Sequence, residues 1–160
     1  MVRKATLLLI CGLVLSGFAF SSEAVAQDNV FDRKFGFGLM VGEPTGLSVK
    51  LWDNNRNAFD GGLAWTFAGD DALSVHADYL WHNYTLFDEV EKGLLPVYFG
   101  VGGRLVFSND SRLGVRVPVG INYIPQDAPL DLFFELAPIV DLVPNAEADF
   151  SAAAGVRVYL

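Results

Sequence analysis

Thiols are almost absent from this chain: among 160 residues the one cysteine is Cys11, set inside an apolar run from Ala5 to Phe20. Arg3 and Lys4 precede that run, and a polar stretch ending Ala24-Val25-Ala26 follows it. A basic start, an apolar middle and a small-x-small end mark a secretory signal peptide cleaved after Ala26. The run is too short for a membrane-spanning helix, which needs about 20 residues. Ile10 stands where a lipoprotein signal has a small residue before its cysteine, so lipidation is not expected. Residues 1–26 are therefore read as the signal peptide and 27–160 as one domain with no cysteine. Disulfides, cysteine-metal sites and thiol nucleophiles are excluded from that domain.

Positive charge is scarce as well. The sequence has 11 Lys and Arg against 19 Asp and Glu, a formal charge of −8. Such a chain has little to offer a phosphate backbone, so nucleic acid is excluded as a partner. Charge of either sign is low at 19%, against 52% hydrophobic residues and a mean hydropathy of +0.34. No linker, low-complexity tract or second domain interrupts the chain.

Also missing is a water-facing sheet surface. The stretch Phe35-Gly36-Phe37-Gly38-Leu39-Met40-Val41-Gly42 alternates bulky and small residues, and the same two-residue period recurs up to Leu160. A strand sends successive side chains to opposite faces, so one face here is oily and the other narrow. The strands of a water-soluble sheet carry Lys, Glu, Thr and Gln where this chain carries mostly Gly, Ala and Ser. An oily face backed by a narrow one suits a tight barrel in lipid. Eight strands are predicted, at 35–42, 46–53, 58–67, 72–83, 96–107, 112–123, 130–141 and 149–160. Turn signals separate them, among them Glu43-Pro44-Thr45-Gly46, Asn54-Asn55-Arg56-Asn57 and Ser108-Asn109-Asp110-Ser111. Each is close to the about 9–11 residues that a tilted strand needs to cross a bilayer. The expected fold is all-β, an eight-stranded antiparallel up-and-down transmembrane β-barrel.

Parity assigns Leu47, Val49, Leu63, Val101, Val115, Leu132 and Phe134 to lipid. Trp65, Phe67, Tyr79, Trp81 and Tyr123 lie toward strand ends as an interfacial girdle. The opposite parity gives the lumen Gly36, Gly38, Ser48, Gly62, Gly100, Gly102, Gly120 and Ser151 together with the charges discussed below. Pro118 and Pro138 fall inside strands, where a missing N–H predicts a bulge or a lost ladder bond. The one long connection, Tyr84 to Leu95, falls by parity at the same end as both termini.

Lys50, Arg104, Arg116 and Arg157 point inward with Asp78 and Glu135. The strand order makes neighbours of Asp78 and Arg104, and of Glu135 with both Arg116 and Arg157. A lumen only wide enough for side chains excludes most water, and a lone charge there is costly, so these groups are expected to pair and close the barrel. Ser74, His76 and Asp78 share one strand face, but residues two apart stand nearly 7 Å from each other, too far for nucleophile activation. No catalytic residue is assigned. No metal or other cofactor is expected either: His82 has no second His or Cys at a ligand spacing, and the acidic Asp70, Asp71 and Asp110 read as solvated turns.

The stretch Ala153-Ala154-Gly155-Val156-Arg157-Val158-Tyr159-Leu160 resembles the terminal signal by which outer-membrane barrels are recognised for assembly. Gly155, Val158 and Leu160 fall at its glycine and two hydrophobic positions. It departs from that pattern in ending on Leu160 rather than an aromatic and in carrying Ala153 where a polar residue is commoner. The architecture is similar to the transmembrane domain of outer-membrane protein A and its small eight-stranded relatives. More specifically, the chain resembles a widespread family of small outer-membrane β-barrel proteins of bacterial envelopes. The matching stretches are Gly42-Glu43-Pro44-Thr45-Gly46, Leu94-Leu95-Pro96-Val97-Tyr98-Phe99-Gly100-Val101-Gly102-Gly103-Arg104, Arg116-Val117-Pro118-Val119-Gly120 and Phe134-Glu135-Leu136-Ala137-Pro138.

The signal peptide implies Sec export, and the resemblance implies residence in the bacterial outer membrane and tolerance of Pro118 and Pro138. It implies no reaction, because that family has no agreed catalytic residues. The expected partners are outer-membrane lipids and, through the C-terminal strand, the barrel-assembly machinery, with the barrel itself a monomer. The function expected is a non-enzymatic structural or surface role. A small gated pore for ions or small solutes is the alternative, and a lipid-modifying barrel enzyme a further one. A secreted lipocalin-like binder needs the reverse polarity, with bulky residues inside.

Overall fold

Alternation of bulky and small residues extends the backbone into β-segments throughout the computed structural model, which describes residues 34–43, 45–66, 72–87 and 92–160. The expected signal peptide and its Ala26 cleavage site lie outside the described residues, as do Phe67, Asp70 and Asp71. The segments are β1 (Phe35–Glu43), β2 (Gly46–Trp52), β3 (Asn57–Thr66), β4 (Ala72–Asn83), β5 (Gly93–Leu94) and β6 (Val97–Phe107). They continue with β7 (Arg112–Arg116), β8 (Val119–Pro125), β9 (Leu130–Val143) and β10 (Glu147–Tyr159). All pairings are antiparallel, and β10 returns to β1, from Gly36 opposite Tyr159 to Glu43 opposite Ala152. β5 and β6 occupy one position in the wall and β7 and β8 another, so ten segments make a closed ring of eight strands.

Proline makes both breaks. Pro96 separates β5 from β6 and Pro118 separates β7 from β8, each lacking the N–H that would continue the ladder. Their carbonyls still accept, Pro96 from the Asn122 N–H at 2.9 Å and Pro118 from the Gly100 N–H at 2.8 Å. Pro138 stays inside β9 without a break. Its carbonyl accepts from the Val117 N–H at 3.0 Å. In an extended residue N–H and C=O point the same way, so the missing donor of Pro138 faces the gap that Pro118 has already opened. The strand limits otherwise move by a few residues at most, and a β-bulge lies where Leu113 and Gly114 meet Val143 and Asp141.

Parity separates the two faces. Phe37, Leu39, Leu63, Val101, Val115 and Phe134 are exposed on the outside, while Lys50, Asp60, His76, Arg116, Glu135 and Arg157 are buried inside. This is the reverse of a water-soluble sandwich and suits hydrocarbon around the wall. Phe59, Tyr79, Trp81 and Phe99 form a run of ring contacts across β3, β4 and β6 near one rim. Trp65, Phe107 and Phe150 lie exposed toward the other.

Small inward residues make room for large ones. Gly36 faces Tyr159, Gly62 faces His76, Gly120 faces Tyr98 and Gly155 faces Phe133, each pair directly opposite in register. The partner ring occupies the place of the absent side chain. At Gly42 the requirement is conformational: its φ of 133° is one that side-chain-bearing residues rarely adopt.

The described parts of the long connection, 84–87 and 92–95, lie at the end of the barrel that holds Lys34 and Tyr159. There Gly93 and Leu94 pair with Pro125 and Ile124, and the Lys92 carbonyl accepts from the Tyr123 hydroxyl at 3.2 Å. Asp88 to Glu91 lie outside the described residues. At the opposite end the described connections, 108–111 and 144–146, are short.

Candidate functional site

Among the described residues the buried polar and charged side chains gather in the lumen, layered along the barrel axis. Nearest the termini Trp52, Ala58, Ile124 and Tyr159 form an apolar cluster with Leu94 against it. Trp52 donates its indole N–H to the Tyr159 hydroxyl at 2.9 Å, and that hydroxyl donates to Asp131 at 3.2 Å. His82 packs between the Trp52 and Tyr98 rings, with centroids 4.5 and 5.3 Å away. Lys50 emerges from this cluster with Nζ 4.5 Å from the Trp52 ring centre and 3.6 Å from Asp131 Oδ2, and it donates to Asn122 Oδ1 at 3.4 Å. The ammonium is thus held by a carboxylate, an amide and an aromatic face.

The next layer is built on two arginines. Arg157 donates from Nε to Ser48 at 2.8 Å, from Nη1 to Asp131 at 3.0 Å and from Nη2 to Asp60, and its guanidinium lies 3.9 Å from the Phe133 ring centre. Arg116 donates from Nη2 to Glu135 Oε1, while Tyr98 donates its hydroxyl to Glu135 Oε2 at 2.9 Å. Arg116 Nε also stands 3.3 Å from Asp78 Oδ2. Planar guanidinium groups with several donors suit this work, since one side chain links carboxylates from different strands.

At the mouth opposite the termini Arg104 donates from Nη2 to Asp141 at 2.7 and 2.9 Å and to Asp149 at 2.8 Å. Arg112 approaches the same two carboxylates at 3.3 and 3.6 Å. Beside them lies an open cavity of about 310 Å³ lined by Asp110, Arg112, Asp141, Pro144, Asn145 and Glu147.

Lys50, Asp78, Arg104, Arg116, Glu135 and Arg157 all lie on the inward face, but two of the expected pairings change. Asp78 does not meet Arg104: the register sets Asp78 opposite Gly102 and His76 opposite Arg104, and Asp78 turns to Arg116. Glu135 pairs with Arg116 but not with Arg157, which stands opposite Asp131 and reaches across the lumen to Asp60. Sequence reading missed Asp60, Asp131, Asp141, Asp149, Asn122 and the inward aromatics Trp52, Tyr98, Phe133 and Tyr159. Parity was the available signal, because each stands an even number of residues from an inward residue on its own strand. In the C-terminal strand Gly155 lies between Met40 and Phe133, Val158 pairs with Phe37, and the Leu160 N–H donates to the Phe35 carbonyl at 2.9 Å.

No protein-family model matches this sequence, and no curated protein matches it. Among solved structures, the N-terminal β-barrel domain of Pseudomonas aeruginosa OprF aligns with a TM-score of 0.57 at 10% identity, covering 79% of this chain and 96% of that one. Neisserial surface protein A (NspA) aligns with a TM-score of 0.45 at 13% identity, covering 80% and 94%. The class is therefore the eight-stranded antiparallel β-barrel of outer-membrane type. In particular, the chain has the fold of the OprF barrel domain.

Proposed function

We propose that this protein is a non-enzymatic β-barrel of the bacterial outer membrane with a structural or surface role, its lumen held closed by the ionic network. One observation carries the reading: Lys50, Asn122, Asp131 and Arg157 cross the middle of the barrel and none is more than 1% exposed. A standing aqueous passage would wet these groups. Buried ion pairs also resist opening, because each ion that loses its partner costs about 3–5 kcal/mol.

The apolar outer belt supports lipids as the surroundings. The basic and apolar character of residues 1–26 supports Sec export with cleavage after Ala26. Gly155, Val158 and Leu160 support delivery to the barrel-assembly machinery. The return of β10 to β1 supports a monomer, since no strand edge is left for a second copy.

A small gated pore is the second reading, favoured by the partly exposed Arg104 and Arg112 at the mouth. Purified barrel in a planar bilayer separates the two: the closed reading expects no steady current. Steady conductance that changes on neutralising Arg104 or Arg116 overturns it in favour of the pore. Fractionation tests the location, with release from washed outer membranes expected only in detergent.

A further inference from the structure

Asp60 on β3 and Asp78 on β4 stand directly opposite one another in the ladder, and both are buried in the lumen. Like charges at directly opposed positions repel, more strongly in a dry interior than in water. His76 lies on the same face of β4 and reaches the same spot. One nitrogen of its ring and one carboxylate oxygen from each aspartate all lie within 4.8 Å of one another.

The surrounding charges do not balance this cluster. Arg157 is shared between Asp60 and Asp131, Lys50 also leans on Asp131, and Arg116 is shared between Asp78 and Glu135. Arg104, opposite His76 in register, is taken by Asp141 and Asp149 at the mouth. Around the cluster four buried carboxylates thus meet three cations. Asp78 carries the surplus: its side chain is inaccessible, and neither of its oxygens accepts a hydrogen bond. The 3.3 Å approach of Arg116 Nε lacks hydrogen-bond geometry.

We propose that Asp60, His76 and Asp78 form a binding site for a divalent first-row transition ion in the middle of the barrel. One imidazole nitrogen and two carboxylate oxygens suit zinc and its neighbours better than magnesium or calcium, which take oxygen alone. The three groups are near enough for side-chain rotation to bring them to zinc's about 2.0–2.2 Å. Arg157 and Arg116 then orient the two ligating carboxylates from outside, as metal sites commonly require. The ion relieves the Asp60–Asp78 repulsion and ties β3 to β4.

The test is calorimetric titration of zinc into the full barrel folded in detergent micelles, with magnesium and calcium for comparison. Expected are one saturable zinc site per barrel and binding weakened about 100-fold or more in both His76→Gln and Asp78→Asn. Zinc also raises the urea midpoint of the wild type but not of His76→Gln. Cobalt provides a readout that needs no variant: nitrogen–oxygen coordination gives visible absorption bands that zinc then displaces. Absence of saturable zinc binding, an unchanged cobalt spectrum, or binding that survives both variants overturns the proposal. Loss of binding in His82→Gln instead of His76→Gln overturns it too.

Discussion

Arg157 and Asp131 face each other across β10 and β9 and share a 3.0 Å hydrogen bond at the centre of the barrel. The same guanidinium serves Asp60, so Arg157→Met leaves two buried carboxylates short of a cation. Loss of about 3–5 kcal/mol is expected, read as a lowered urea midpoint of the barrel folded in lipid. Pairing it with Asp131→Asn restores part of that loss, because the double variant removes one of the stranded charges. Arg157→Lys is not a conservative rescue, since a single ammonium cannot reproduce three diverging donors.

Removing a surplus charge costs far less than removing a partnered one. In chelator-treated protein Asp78→Asn is expected to shift stability by less than about 1 kcal/mol, because Asp78 accepts no hydrogen bond and adds to the excess negative charge. Glu135→Gln is expected to cost about 3 kcal/mol, because Glu135 holds both Arg116 and Tyr98. Paired urea titrations check the order of the two.

Glycine is required where a ring lies opposite and dispensable where only lipid does. At Gly120 any added side chain runs into the Tyr98 ring and the Phe134 carbonyl, whereas at Gly103 the nearest neighbour is 3.8 Å away. Gly120→Val is expected to prevent folding to the compact, heat-modifiable form seen on cold gels. Gly103→Ala is expected to migrate as wild type.

A lipid-facing belt makes charge costly according to depth. Val101 lies mid-way along β6 on the outer face and Phe107 at its end, and both are exposed. Val101→Arg is expected to destabilise by about 2–4 kcal/mol and Phe107→Arg by about 0–1 kcal/mol. Equal losses at the two positions would remove the membrane from the explanation.

The two-residue period made the fold legible, because it fixes which face each residue joins wherever a strand stays regular. Lys50, Arg116 and Arg157 could be turned inward on that basis alone. Partners were harder, since strand order tells which strands touch but not how far one slides along the next. A slip of two residues sends Asp78 from Arg104 to Gly102. Asp60 escaped for a different reason: its cation comes from β10, across the lumen rather than along the wall. Trp52, Tyr98 and Tyr159 share the inward parity with small residues, and only the register shows that Gly36 and Gly120 stand opposite Tyr159 and Tyr98 to make room for them. Proline was legible as an interruption, but that Pro138 would shelter in the gap left by Pro118 required the register.

The seam between β1 and β10 joins Gly36 to Tyr159, near the two extremes of the described chain. During folding β1 must therefore wait, unpaired on one side, until β10 is in place. A chain shortened by a single hairpin at its far end would be not a smaller cylinder but an open sheet, with a raw margin and a salt-bridged interior spilled into water.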